Sequence, residues 1–99
     1  MDEDRLADLL ATTLRRYASM PAYRRFLIRV KELGENQKDE TLQAHTLQRL
    51  CRDVPALAAD LAAAGFGDVV GTDLHHVTPE GGRLVQAFNR LVEEGRLAG

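Results

Sequence analysis

The sequence contains no tryptophan, one cysteine, three prolines and five aromatic residues in total. A single cysteine cannot form an internal disulfide, which excludes a small secreted scaffold held by disulfides. Because aromatic side chains are so few, the core is expected to be aliphatic. No apolar run approaches the roughly 18 residues that a membrane-spanning helix needs, so we predict no membrane association.

Lysine is also scarce, and the chain start carries acidic residues where a signal peptide would carry basic ones. Met1 is followed directly by three acidic residues, Asp2, Glu3 and Asp4, and we therefore predict a cytoplasmic protein. The chain has 99 residues, of which 44% are hydrophobic and 28% charged. This size and balance predict a single globular domain over residues 1–99.

The net charge of −2 conceals an uneven distribution along the chain. The stretch from Asp53 to Gly82 contains acidic residues and neither lysine nor arginine, whereas the stretch from Leu9 to Lys31 contains only basic charges. Such a separation can attract an acidic partner or a second copy of the chain. We define the basic face as the six cations of the earlier stretch: Arg15, Arg16, Arg24, Arg25, Arg29 and Lys31.

Apolar residues recur at helical spacing in most of the chain, and the pattern predicts four to five helices. The expected spans are 3–18 after an N-cap at Asp2, Pro21 to Gly34, Thr41 to Arg52 after a cap at Asp39, Pro55 to Gly65, and Pro79 to Gly95 after a cap at Thr78. Gly65 followed by Phe66 is typical of a helix end in which glycine takes a left-handed conformation. Between residues 69 and 77, β-branched residues and the turn-forming Gly71 to Asp73 predict a short β-hairpin.

The residues with catalytic or metal-binding chemistry do not form a recognisable set. Cys51 and the three histidines, His45, His75 and His76, lack the paired spacing of zinc ligands, and Cys51 falls in register with buried leucines. The glycines form no phosphate-binding loop, and no carboxylates stand as an acid/base pair. We therefore predict no cofactor, no metal and no enzyme activity, with Cys51 as a core residue.

The segment from Leu74 to Val85, Leu-His-His-Val-Thr-Pro-Glu-Gly-Gly-Arg-Leu-Val, resembles the end of the wing in bacterial winged-helix regulators. Upstream, Leu61 to Phe66 resembles the end of their recognition helix, and Thr41 to Arg52 would be the helix before it. The resemblance covers about the C-terminal sixty residues. It implies a winged-helix fold with a DNA-binding face, and an all-α bundle like the death fold is the alternative.

The residues at the expected recognition face do not suit DNA. Winged-helix proteins bind phosphates and bases mainly through cationic and amide side chains. Here the exposed side of the recognition helix would instead carry Ala56, Ala59, Asp60 and Ala63. Such a surface favours close contact with another protein.

These observations predict a small non-catalytic protein–protein interaction module, an adaptor or regulatory subunit, that binds an unidentified partner through the basic face and the alanine-rich helix. A DNA-binding winged-helix transcriptional regulator and a death-fold-like adaptor are the alternatives. We also predict a homodimer, in which Leu6, Leu10 and Tyr17 either form the dimer seam or close the core of a single chain.

Overall fold

The computed structural model describes residues 2–36, 40–67, 69 and 79–97 of the protein. These residues form five α-helices and contain no strand, which confirms the mainly helical fold class. The predicted hairpin between residues 69 and 77 lies outside the described residues except for Val69. The helices are α1 (Glu3–Arg15), α2 (Pro21–Asn36), α3 (Glu40–Asp53), α4 (Pro55–Leu61) and α5 (Pro79–Glu93).

Helix α1 begins as predicted, because the Asp2 carboxylate accepts a hydrogen bond from the Arg5 backbone N–H at 2.8 Å. Its predicted end at residue 18 is wrong by three residues. After Arg15 the chain tightens into turns in which the Tyr17 N–H donates to the Leu14 carbonyl at 3.0 Å. These shorter-range bonds satisfy the carbonyls of the last helical turn.

Helices α2 and α3 differ from their predicted bounds by one or two residues. Helix α2 continues past Gly34 to Asn36, since a glycine inside a helix costs only about 1 kcal/mol and does not by itself end it. Helix α3 runs from Glu40 to Asp53 and stops just before the residue that precedes Pro55. The predicted caps Asp39 and Thr78 lie outside the described residues.

Helix α4 and the turn after it bring the chain back to the core. Leu57 and Leu61 are fully buried, as their spacing predicted. A wider, π-helical turn then spans Ala62–Phe66, in which Gly65 has φ 99° and ψ 9° and Phe66 is buried. The left-handed conformation predicted for Gly65 is therefore confirmed, but the predicted end of the α-helix at Gly65 is wrong by four residues, because the chain widens into the π-helical turn after Leu61.

Substitution of Gly65 by alanine should lower the free energy of unfolding by about 1 kcal/mol, since a left-handed conformation is costly for a residue with a Cβ. No heavy atom lies within 4 Å of the position that a Cβ would take, so the loss would come from the backbone alone. Urea denaturation measures it. Gly65→Asn is the control and should lose less, because asparagine tolerates this conformation. Equal stability of Gly65→Ala and the unmodified chain would contradict the expectation.

The end of α5 is closed by a second left-handed glycine. Gly95 has φ 64°, the Arg96 N–H donates to the Leu91 carbonyl at 2.9 Å, and the Gly95 N–H donates to the Val92 carbonyl at 3.2 Å. These two bonds are the Schellman motif and confirm the predicted stop. The segment that follows carries Leu97 back against the core.

One core joins the helices, with α1 packed on α5, α2 packed on α3, and α4 in contact with α1 and α3. The ring centroids of Phe26 and Phe88 lie 5.9 Å apart and link α2 to α5. The buried Gln48 side chain of α3 donates to the Val69 carbonyl at 3.1 Å. Leu6 and Leu10 were predicted to form either a dimer seam or the core of a single chain. Both are buried in the core of the single chain.

Candidate interaction surfaces

The outward side of α2 carries one exposed apolar side chain, Ile28, with cations before and after it and a carboxylate, Glu32, four residues further along the helix. Ile28 is 57% exposed, compared with 38% for Met20, the other large hydrophobic residue that is exposed in the described part of the chain. Arg24 and Lys31 are exposed and lie four residues before it and three after it, so the three form one stripe along the helix. We call Arg24, Ile28 and Lys31 the outer stripe of α2.

The two other cations of α2 lie on the opposite edge of its exposed side. Arg25 is exposed and Arg29 half-buried, and their spacing of four residues places them in a row of their own. No ion pair joins any of the four α2 cations to another residue in the described part of the chain. Their charge is therefore available to a partner.

The first residues of the basic face, at the end of α1, differ from the cations of α2 because they lie close to α4. Arg16 Nη1 lies 3.8 Å from Asp60 Oδ2, and the Tyr17 hydroxyl donates a hydrogen bond to the same carboxylate. This hydrogen bond, together with burial and the negative charge of Asp60, raises the pKa of Tyr17. The basic face is thus divided: Arg15 remains exposed at the end of α1, whereas Arg16 is already paired.

The alanine-rich surface is confirmed in part. Ala56, Ala59 and Ala63 are exposed, as predicted. Asp60 was predicted to be exposed beside them, but it is half-buried, and its carboxylate contacts α1. Contact between α1 and α4, which are distant in sequence, accounts for the difference.

An apolar groove opens between the C-terminal halves of α2 and α5. It has a volume of about 280 Å³, and Gly95 forms part of its wall without a side chain. Among the described residues, Lys31 is the only charged one that lines it. We call it the α2–α5 groove; the other lining residues are Leu27, Val30, Leu91, Val92 and Leu97.

Arg90 and Glu93 of α5, and Glu94 just after the helix, lie on the side of α5 that faces α1. Arg90 forms ion pairs with Asp4 of α1 and, at 3.4 Å, with Glu94. Glu93 and Glu94 line a separate polar depression that also includes Glu3. Glu93 and Glu94 thus line a depression other than the α2–α5 groove, whose charged lining residue in the described part of the chain is Lys31.

Of the residues considered for catalysis or metal binding, the structure describes Cys51 and His45. Cys51 is fully buried, as predicted, and burial raises the pKa of its thiol to about 12. His45 is half-buried on α3, and His75 and His76 lie outside the described residues. Within the described part of the chain, no three histidine, cysteine or carboxylate side chains are grouped to hold a metal.

The exposure of Ile28 and the α2–α5 groove were not predicted from the sequence. Ile28 could have been noticed, because it lies off the buried register of Tyr23, Phe26 and Val30 and between arginines. The groove could not, because it depends on how α2 and α5 are placed relative to each other.

No protein-family model, no curated protein and no solved structure matches this chain. The winged-helix resemblance therefore stays a prediction. None of the helices in the ranges described combines the length and apolar character that crossing a bilayer requires.

Proposed function

We propose that this protein is a small, non-catalytic, cytoplasmic interaction module that binds an acidic protein partner through the exposed side of α2. The observation that carries the proposal is the exposure of Ile28 between Arg24 and Lys31. Protein interfaces combine a desolvated apolar centre with a polar rim. A nucleic-acid backbone needs the cations but gains little from an aliphatic side chain.

The charge state of α2 supports the same proposal. Its cations have no ion pair with the described residues, so a partner's carboxylates need not displace an existing salt bridge. Complementary charges of this kind speed association and select the partner. The exposed alanines of α4, Ala56, Ala59 and Ala63, offer a second surface for close protein contact.

For the finer architecture we propose a winged-helix-like arrangement in which α3 and α4 correspond to the helix-turn-helix. The short break at Val54 between these helices and the glycine that ends the segment after α4 support it. A death-fold-like bundle is the alternative, and the two differ in residues 69–77. Backbone chemical shifts of these residues distinguish a strand pair from a loop.

Reversing charge on α2 should weaken binding to an acidic partner. The probe is a fluorescein-labelled helical peptide of about 18 residues, five turns, with leucines on one face and glutamates on the other. Fluorescence anisotropy should show saturable binding to the unmodified chain, weakened at least about tenfold in the Arg24→Glu/Arg25→Glu double variant. Ile28→Ser should also weaken it, because the apolar contact is lost.

A labelled random DNA duplex is titrated in parallel. We expect no saturable binding at physiological salt. Duplex binding that falls with salt, is lost in Arg24→Glu/Arg25→Glu and persists in Ile28→Ser would replace this proposal by the DNA-binding regulator. The proposed function would also be contradicted if Arg24→Glu/Arg25→Glu left peptide binding unchanged.

A further inference from the structure

We infer that the α2–α5 groove receives the apolar side chains of an acidic amphipathic helix presented by the partner. The inference rests on the proposed function and adds where the partner sits and what its contact segment is. Three features carry it: the position of two cations beside the groove, the apolar walls with an opening at Gly95, and the placement of Glu93 and Glu94 in a separate depression.

The first feature follows from helical spacing on α2. Leu27, a wall of the groove, lies three residues after Arg24 and four before Lys31, so both cations flank it. Arg25 and Arg29 lie on the far edge of the exposed side. The positive charge nearest the groove is therefore that of the outer stripe.

The second feature is the shape of the groove. Leu91 is fully buried at its base, while Val92 and Leu97 are only half-buried and leave apolar surface open. No other atom lies within 4 Å of the space where a Gly95 side chain would be, so this wall stays open. A volume of about 280 Å³ is at the small end for ligand pockets and suits a few inserted side chains.

The third feature is electrostatic. Within the part of the chain that the structure describes, Lys31 is the only charged residue lining the groove, and Glu93 and Glu94 line the depression on the α1 side of α5. A basic segment would therefore meet cations at the rim, whereas an acidic one is attracted. A groove walled by two helices takes an amphipathic helix whose apolar residues recur at i, i+3 or i+4, and i+7.

The test uses the full chain, the same labelled Glu/Leu peptide and two charge-reversal variants that change net charge equally. Arg24→Glu/Lys31→Glu alters the groove side, and Arg25→Glu/Arg29→Glu alters the far edge. We expect the groove-side variant to weaken binding at least about tenfold more than the far-edge variant. A peptide with its leucines replaced by alanine should lose binding to the unmodified chain.

A second pair of variants tests the groove itself. Leu97→Glu places a carboxylate in the groove, and Ala63→Glu places the same charge on the exposed side of the alanine-rich segment. Only the first should weaken peptide binding, about tenfold or more. Circular dichroism and urea midpoints establish that each variant is folded. Independently of any variant, the methyl NMR signals of Leu27, Val92 and Leu97 should shift on addition of the peptide to the unmodified chain.

The outcomes separate the two proposals. One outcome would contradict the groove as the binding site and leave the proposed function intact. In that outcome peptide binding requires Arg24 and Arg25, but Leu97→Glu does not weaken it and the methyl signals of the groove residues do not shift. Absence of peptide binding would overturn both. Self-association that ultracentrifugation detects and Leu97→Glu abolishes would assign the groove to a second copy, and displacement of the peptide by DNA duplex would assign the rim to nucleic acid.

Discussion

The Phe88→Ala variant should lose about 3–5 kcal/mol of its free energy of unfolding, the range expected for removal of a buried aromatic side chain. Phe88 is fully buried in α5, and its ring is the contact through which α5 meets Phe26 of α2. Domains of this size have a total stability of only about 5–15 kcal/mol. The variant should therefore lose a large part of the total stability of the domain.

Two matched substitutions make this expectation specific to the core. Phe88→Leu keeps most of the apolar volume and should lose much less, about 1–2 kcal/mol. Gln86→Ala lies on the exposed side of the same helix and should change stability by less than about 0.5 kcal/mol. Urea denaturation followed by circular dichroism measures all three. A loss in Phe88→Ala no larger than that in Gln86→Ala would show that Phe88 is not packed in the core as described.

The helices could be predicted from the sequence because each buries one face of a regular 3.6-residue pattern. Leu57 and Leu61 are an example: their spacing and the preceding proline were enough to place α4 and its inward side. Helix ends were predicted less well, because they depend on which backbone groups find partners. The turns after Arg15 and the continuation of α2 past Gly34 are two examples of helix ends that differ from the prediction.

The sequence predicts which residue types the candidate interaction surfaces contain, but not which of those residues contact other parts of the chain. The sequence indicates that Arg24, Arg25 and Lys31 are cations on a helix with a buried face, and the structure places them on its exposed side. It could not indicate that the Asp60 carboxylate would accept a hydrogen bond from Tyr17, 43 residues away. Contacts between distant elements decide which charges remain available to a partner.

Cys51 should make the stability of the protein depend on alkaline pH. Burial raises the pKa of its thiol from an ordinary 9.0 to about 12. Between these values the unfolded chain releases the thiol proton while the folded chain retains it, so rising pH favours unfolding. The contribution of Cys51 to stability is thus fully present below about pH 9 and is lost as pH rises toward 12.

At pH 10.5 this effect should lower the free energy of unfolding by about 2 kcal/mol relative to pH 8, since one pKa unit corresponds to about 1.4 kcal/mol. Cys51→Ala has no thiol and loses packing by an amount that does not depend on pH. Urea denaturation of both chains under reducing conditions at the two pH values isolates the thiol, because Tyr17 and the other titrating groups are common to both. The stability advantage of the unmodified chain should shrink or reverse at pH 10.5. A constant difference between the two chains would mean that solvent reaches Cys51 and that the packing of α3 against the core is looser than described.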